Sequence, residues 1–265
     1  MWQRNILKLI DYANLANDIL EKSDDYIKSK NLIYSFFEVK EENLTLEKVK
    51  LRLTIIDSIY STNMSRRLFG INELAKQILD LSESNDSILI DKINAFILNP
   101  SNQNEIKTIL LKQFGIDKKG NKKGHATSLI SKYFYFLLEF QFPIYDSLVK
   151  DNLPIINKNT IQVNSLILKE GQIKYFQDII KFNKESQIND FNKLDNMCWL
   201  FGKIKRGSFS LIIDKIKYLE LIEPIDLKNK KSDKIDEAIK EHIAKKMPNN
   251  IFSKDEEQFI SWVNT

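Results

Sequence analysis

Cysteine, histidine, glycine and proline are all scarce in this chain of 265 residues, which holds one Cys, two His, seven Gly and five Pro. A lone Cys198 excludes an intramolecular disulfide and any four-cysteine zinc or iron–sulfur site built by one chain. His125 and His242 are too few for a His-rich metal centre, so no metal or other cofactor is expected. Few Gly and Pro, alongside long Leu/Ile/Lys/Glu-rich stretches, point to a mostly helical protein. No run of about 18 apolar residues occurs, so no transmembrane helix is expected. The segment MWQRNILKLIDYANLAND carries charge too early for a signal peptide. A cytoplasmic protein without a membrane partner is the expectation.

What is present is ordinary for a folded globular chain. Hydrophobic residues make up 43% and charged residues 29%, which argues against wholesale disorder. The length permits one large domain or two small ones. A net charge of +4 is mild, so the local placement of Lys and Arg carries more information than the total.

Apolar residues recur at helical spacing through most of the chain. Residues 2–22 read as a first helix, and Asp24 or Asp25 can cap a second. Thr45 caps a helix from about Leu46 to Tyr60, with Lys48 where a capping box would want Glu or Gln. Further helices are predicted over Gly70–Leu81, Ile88–Leu98 and Asn104–Phe114, the last closed by Gly115. Leu153-Pro154 reads as the start of an irregular segment. Thr160–Leu168 reads as a short strand or a helix turn. Helices follow at Gln172–Phe182 and Asn192–Phe201, then a basic connector, KIKR, between Gly202 and Gly207. Beyond it come a helix at Ser208–Glu220, a charged linker at Lys228–Lys234 and helices at about Asp233–Lys246 and Lys254–Val263.

The stretch from Lys118 to Lys150 organises the rest. It opens with a Gly-Lys-rich turn in which Gly120 and Gly124 permit unusual backbone conformations. Lys118, Lys119, Lys122 and Lys123 add positive charge, and His125 lies beside them. A turn leading into a helix N-terminus presents free N–H groups, and with these cations it suits a phosphate. A solvated basic loop accounts for the same residues. The next segment, about Ala126 to Phe140, is apolar on nearly all sides and should be a central helix. After Pro143 comes Ile144-Tyr145-Asp146-Ser147. Asp146 is either a helix N-cap or a carboxylate at the edge of a cleft, able to stabilise positive charge or orient a water, and the two roles are compatible.

Gly124 followed by Ile130-Ser131-Lys132, an apolar helix and then Phe142-Pro143-Ile144-Tyr145-Asp146-Ser147-Leu148-Val149-Lys150 resembles the helix-hairpin-helix DNA glycosylase superfamily. Ile55 to Met64, IIDSIYSTNM, resembles the upstream helix and turn whose polar residues fill the gap left by an extruded base. Leu194 to Lys203, LDNMCWLFGK, resembles a late helix of that superfamily. Together these cover about Leu46 to Lys203. The resemblance implies that Asp146 is the catalytic carboxylate and Lys150 the basic residue that follows it. It implies that Asn63, with Thr62 beside it, enters the DNA, and that Arg66, Arg67, Lys119, Lys122, Lys123, Gly124 and His125 hold the backbone. A base pocket would be drawn from Tyr60, Tyr133, Tyr145 and Trp199. The sequence departs from the family's Leu-Pro-Gly-x-Gly hairpin. It has no lysine near Thr127 or Ser128, where the bifunctional members carry a nucleophile; Lys132 lies about one turn further on.

The expected fold is therefore all-α, two helical lobes with a cleft between them, over residues 1–223, with a C-terminal helical appendix at 224–265 open to a protein partner. The expected partner is double-stranded DNA. The expected activity is monofunctional removal of a modified or mismatched base after nucleotide flipping. The alternative is a catalytically inactive DNA-binding module on the same fold, serving phage defence or a larger complex. A third reading is a helical protein-interaction domain with no role on DNA.

Overall fold

The computed structural model describes residues 9–102, 104–122, 124–159, 171–206 and 252–264. Eleven helices occur among them and no strand: α1 (Leu9–Glu21), α2 (Asp24–Tyr34), α3 (Leu46–Tyr60), α4 (Gly70–Ser82), α5 (Asp86–Leu98), α6 (Glu105–Leu111), α7 (Thr127–Leu137), α8 (Ser147–Asn159), α9 (Gln172–Glu185), α10 (Phe191–Lys205) and α11 (Lys254–Val263). The expected all-α class holds. No helix among the described residues is long and apolar enough to cross a membrane.

Local chemistry sets most of the boundaries. Thr45, Asn85, Asn104 and Asp190 each accept a backbone amide at the N-terminus of α3, α5, α6 and α10, satisfying donors that the helix leaves open. Ser253 and Glu256 form a full capping box on α11. Ser23, rather than Asp24 or Asp25, occupies the N-cap position of α2. α6 stops at Leu111, short of the expected Phe114, because Gln113 bridges to His125 and Ile116 bridges to both Leu68 and Lys122. α8 continues through Pro154 to Asn159, where an irregular segment was expected. Packing of α8 on α10 offsets the bond that proline cannot make. The KIKR connector is also helical in part, since α10 runs to Lys205.

α7 is the central rod. Thr127 and every residue from Leu129 to Leu137 are buried, and the helix packs against α3, α5 and α6. Glu139 and Phe140 both take left-handed backbone conformations, and the Phe140 amide reaches back to the Tyr135 carbonyl at 2.6 Å, which ends the rod sharply. A second group of contacts joins α10 to α1, α8 and α11. α11 packs into the same core: Phe259 and Ile260 are buried, and Trp262 stacks on Tyr12 of α1 with ring centroids 4.1 Å apart. The elements predicted at Thr160–Leu168, Ser208–Glu220, Lys228–Lys234 and Asp233–Lys246 lie outside the described residues, as do Lys123 and His242.

Candidate functional site

Asp146 is held by its backbone before its side chain does anything. The Ser131 hydroxyl of α7 accepts the Tyr145 amide at 2.9 Å. The Tyr175 hydroxyl of α9 donates to the Ile144 carbonyl and accepts the Asp146 amide at 3.4 Å. The Asp146 carboxylate accepts the Leu148 amide at 2.7 Å, so it caps α8, as the local sequence suggested. The side chain is half-buried.

Two other charges face it. Lys132 projects from the middle of α7 and is 3% exposed. Its amine donates to Ser128 Oγ at 2.8 Å and lies 5.2 Å from the centre of the Tyr60 ring. Burial lowers its pKa, while Asp146 and Asp195 act in the opposite direction. Asp195, on α10, is pushed up to about 7 by burial and then by Asp146, with Lys132 and Lys30 opposing. The three groups influence one another through space, yet among the described residues no ion pair closes between them. Leaving charges in an interior without direct pairing costs several kcal/mol, and such clusters concentrate where a protein does chemistry.

A glycine brings Asp195 to this place. Gly202 lies two turns after Asp195 on the same face of α10. A side chain there would meet Leu148 at 2.8 Å and the Asn152 amide closer still. Its absence lets α10 approach the first turns of α8, where Asp146 sits. Behind Asp195 a polar layer links α1, α2, α7 and α10. Lys30 and Tyr135 both donate to Asn192, Tyr26 donates to Asn196, and Asn196 donates to Asn17 at 2.9 Å. Burial lowers the Lys30 amine to about 8. The sequence reading missed Asp195 and Lys30. The available signal was an acid inside an apolar helix face, with Leu194, Met197 and Cys198 buried around Asp195.

The expected base-pocket residues divide. Tyr60 belongs to the cluster through Lys132. Tyr145 lies beside it, its ring 4.7 Å from Tyr175 and its hydroxyl accepting the Lys150 amine at 3.2 Å; Lys150 therefore turns back on the protein. Trp199 is half-buried against Tyr26 at 5.4 Å, with Lys203 over its ring. Tyr133 is a correction: it is fully buried, packed edge-on against Phe37 with its hydroxyl toward Arg52 at 3.4 Å, and it lines no opening. A cavity of only about 10 Å³ lies beside Asp195, lined also by Pro143, Ile144 and Val149. That is room for one water.

The expected DNA-holding residues among those described gather on a separate surface that α3 and α7 join to the cluster. The buried Asp57 carboxylate accepts the Met64 and Ser65 amides, both at 2.8 Å, and the Thr62 hydroxyl. Burial pushes its pKa up, but these bonds prevail and hold it below the usual carboxylate value. Thr62 is thus part of the turn's frame. Asn63 is exposed in a left-handed conformation and donates to the Ser61 carbonyl at 2.9 Å. Arg66 is exposed. Arg67 is committed to the hairpin, donating to the Gly124 carbonyl at 2.5 Å and the His125 carbonyl at 3.4 Å. Lys119, Lys122, Gly124 and His125 are exposed on that hairpin. A groove of about 380 Å³ beside it is lined by Glu73, Lys76, Asp80, Lys112 and Lys122 among others. Set beside known proteins, the chain matches no family model, no curated protein and no solved structure.

Proposed function

We propose that the protein binds duplex DNA and hydrolyses the N-glycosidic bond of a modified or mismatched base. The observation that carries this reading is the convergence of Lys132, from the middle of the buried rod, with Asp146 and Asp195 beside it, titratable groups brought together with no ion pair between them. On this reading the helices form two lobes, with α3 to α7 in one and α1, α8, α10 and α11 in the other, and they must part beside Asp146 to admit a base, since the space there holds about one water. The exposed turn at Asn63 and the cations Arg66, Lys119, Lys122 and His125 engage the backbone around an extruded nucleotide.

The chemistry follows from the charges. As the glycosidic bond breaks, its electron pair leaves with the base and positive charge develops on the sugar. The Asp146 carboxylate stabilises that charge. Asp195, with a pKa raised to about 7, can give a proton to the departing base and take one from the water that adds to the sugar. The Lys132 ammonium lets the two carboxylates share one site.

Duplexes carrying a panel of damaged or mismatched bases, incubated with the protein and then treated with alkali, test this. Cleavage by the wild type and none by Asp146→Asn, with binding retained, is the expected result; an Asn variant as active as the wild type overturns it. DNA binding without release of any base is the second reading. It is favoured by the small size of the cavity beside Asp195 and would appear as steep salt dependence with no cleavage. Absence of salt-dependent binding leaves a helical interaction domain.

A further inference from the structure

Leu68 and Phe69 are adjacent, apolar and open to solvent, 52% and 63% exposed. Single exposed apolar residues are unremarkable, but this pair is built into a rigid frame. The Leu68 amide donates to the Ile116 carbonyl and the Ile116 amide to the Leu68 carbonyl, both at 3.1 Å. Arg67 ties the same turn to Gly124 and His125. At Gly115 a side chain would lie 2.9 Å from the Gly70 α-carbon, so hairpin and turn touch backbone to backbone. Phe69 itself takes a left-handed conformation, with φ of 62°, which an aromatic residue adopts only at a cost. Glycine or asparagine would sit there without that cost, so an aromatic ring is held outward at a position that disfavours it.

Basic residues outnumber acids on the turn and hairpin that carry the pair. Ile116 bridges to Leu68 on one side and to Lys122 on the other, which sets Leu68 and Lys122 on one face of a short ribbon. Arg66 precedes the pair, and Lys118, Lys119 and His125 are exposed on the same hairpin. The nearby carboxylates are engaged by the frame: Asp57 holds the turn, Glu73 accepts the Gly115 amide at 2.8 Å and Asp117 accepts the Lys119 and Asn121 amides. Asp80 lies in the groove alongside. Asn63, the expected inserting residue, spends its amide on its own turn. An exposed aromatic ring on a surface that also carries exposed cations is an arrangement that takes an unstacked base while its phosphates are held.

We infer that Leu68 and Phe69 form a DNA-contacting wedge, with the Phe69 ring stacking on an unpaired or displaced base and Arg66, Lys119 and Lys122 on the flanking phosphates. This rests on the proposal that the protein binds DNA. Fluorescence anisotropy with two duplexes of one sequence, one fully paired and one with a single abasic gap, tests it. Phe69→Gly, which keeps the left-handed backbone, should weaken binding to the gapped duplex about tenfold and leave the fully paired duplex within about twofold. Phe69→Asn serves as the second variant should the glycine variant melt early. Arg66→Ala should weaken both duplexes and flatten the salt slope by about one. Wild-type binding with a normal salt slope, unchanged in both Phe69 variants, overturns the wedge and spares the DNA reading. Loss of self-association by sedimentation in those variants, with DNA affinity unchanged, overturns it in favour of an interface between copies. No wild-type binding to either duplex removes the DNA reading and the wedge with it.

Discussion

Two sets of buried charges in this molecule have opposite designs. Arg52 and Asp86, on α3 and α5, are both 0% exposed, and every strong bond between them is made. Arg52 Nη1 donates to both Asp86 oxygens at 3.0 and 2.9 Å, and its Nε donates to the Phe36 carbonyl at 2.8 Å. Asp86 also accepts the Glu41 amide at 2.9 Å. The pair knits α3, α5 and the α2–α3 connection together. Lys132 is almost as deeply buried and Asp146 and Asp195 are partly buried beside it, yet the hydrogen bonds of Lys132 and Asp146 go to Ser128 and Leu148 and not to one another. Burial alone therefore does not mark a site. A satisfied pair is architecture, and an unsatisfied group of charges at a half-open position is where chemistry is to be sought.

The comparison breaks most sharply at Asp86. Asp86→Ala leaves a buried guanidinium without a counter-ion and should cost about 3–5 kcal/mol in urea melts, while Arg52→Met combined with Asp86→Leu should recover most of that loss. Gly202→Ala tests the second set through its scaffold. A methyl group there meets the Asn152 amide and, at 2.8 Å, the end of Leu148, displacing a buried side chain that is bonded to the Leu148 carbonyl, at a cost of roughly 2 kcal/mol, and it should lower base release by disturbing the contact of α8 with α10.

Asp195→Asn should stabilise the protein, and more so at alkaline pH. The folded protein keeps the Asp195 proton up to about pH 7, whereas the unfolded chain loses it near pH 3.9. Between those values the folded state binds more protons, so stability falls as pH rises, and above 7 the full penalty applies. Unscreened, that penalty is about 4 kcal/mol; partial exposure reduces it to ~2 kcal/mol. Thermal melts at pH 5 and pH 8 should show the gain of the Asn variant growing with pH. The smallest effect belongs to Asp146→Asn, which keeps a good N-cap and should change stability by less than about 0.5 kcal/mol. A large loss there would make Asp146 a structural residue like Asp86.

Much of the fold is legible one helix at a time. α3 and α11 begin and end where their caps and apolar spacing place them, and α7 is recognisable as the central rod because its only buried charge is Lys132. The helical course through Pro154 is not legible, because it depends on α10 lying against α8. The site divides the same way. Asp146 stands out locally, following a proline at a helix start. Asp195 does not, because its importance depends on Gly202 and on a neighbour from another part of the chain. Tyr133 and Tyr60 look alike in sequence. Only the direction each side chain takes from its helix sends one to Arg52 and the other to Lys132.

The stack of Trp262 on Tyr12, and the bond from Asn196 to Asn17, have a consequence for how the molecule is made. α1 emerges well before α10, its partners there lying 179 residues downstream. At ribosomal speeds of about 5–20 residues per second, α1 waits roughly ten to forty seconds before its apolar stripe is covered. During synthesis that stripe is exposed to chaperones and proteases, and acquiring α10 and α11 is the step that withdraws it from them.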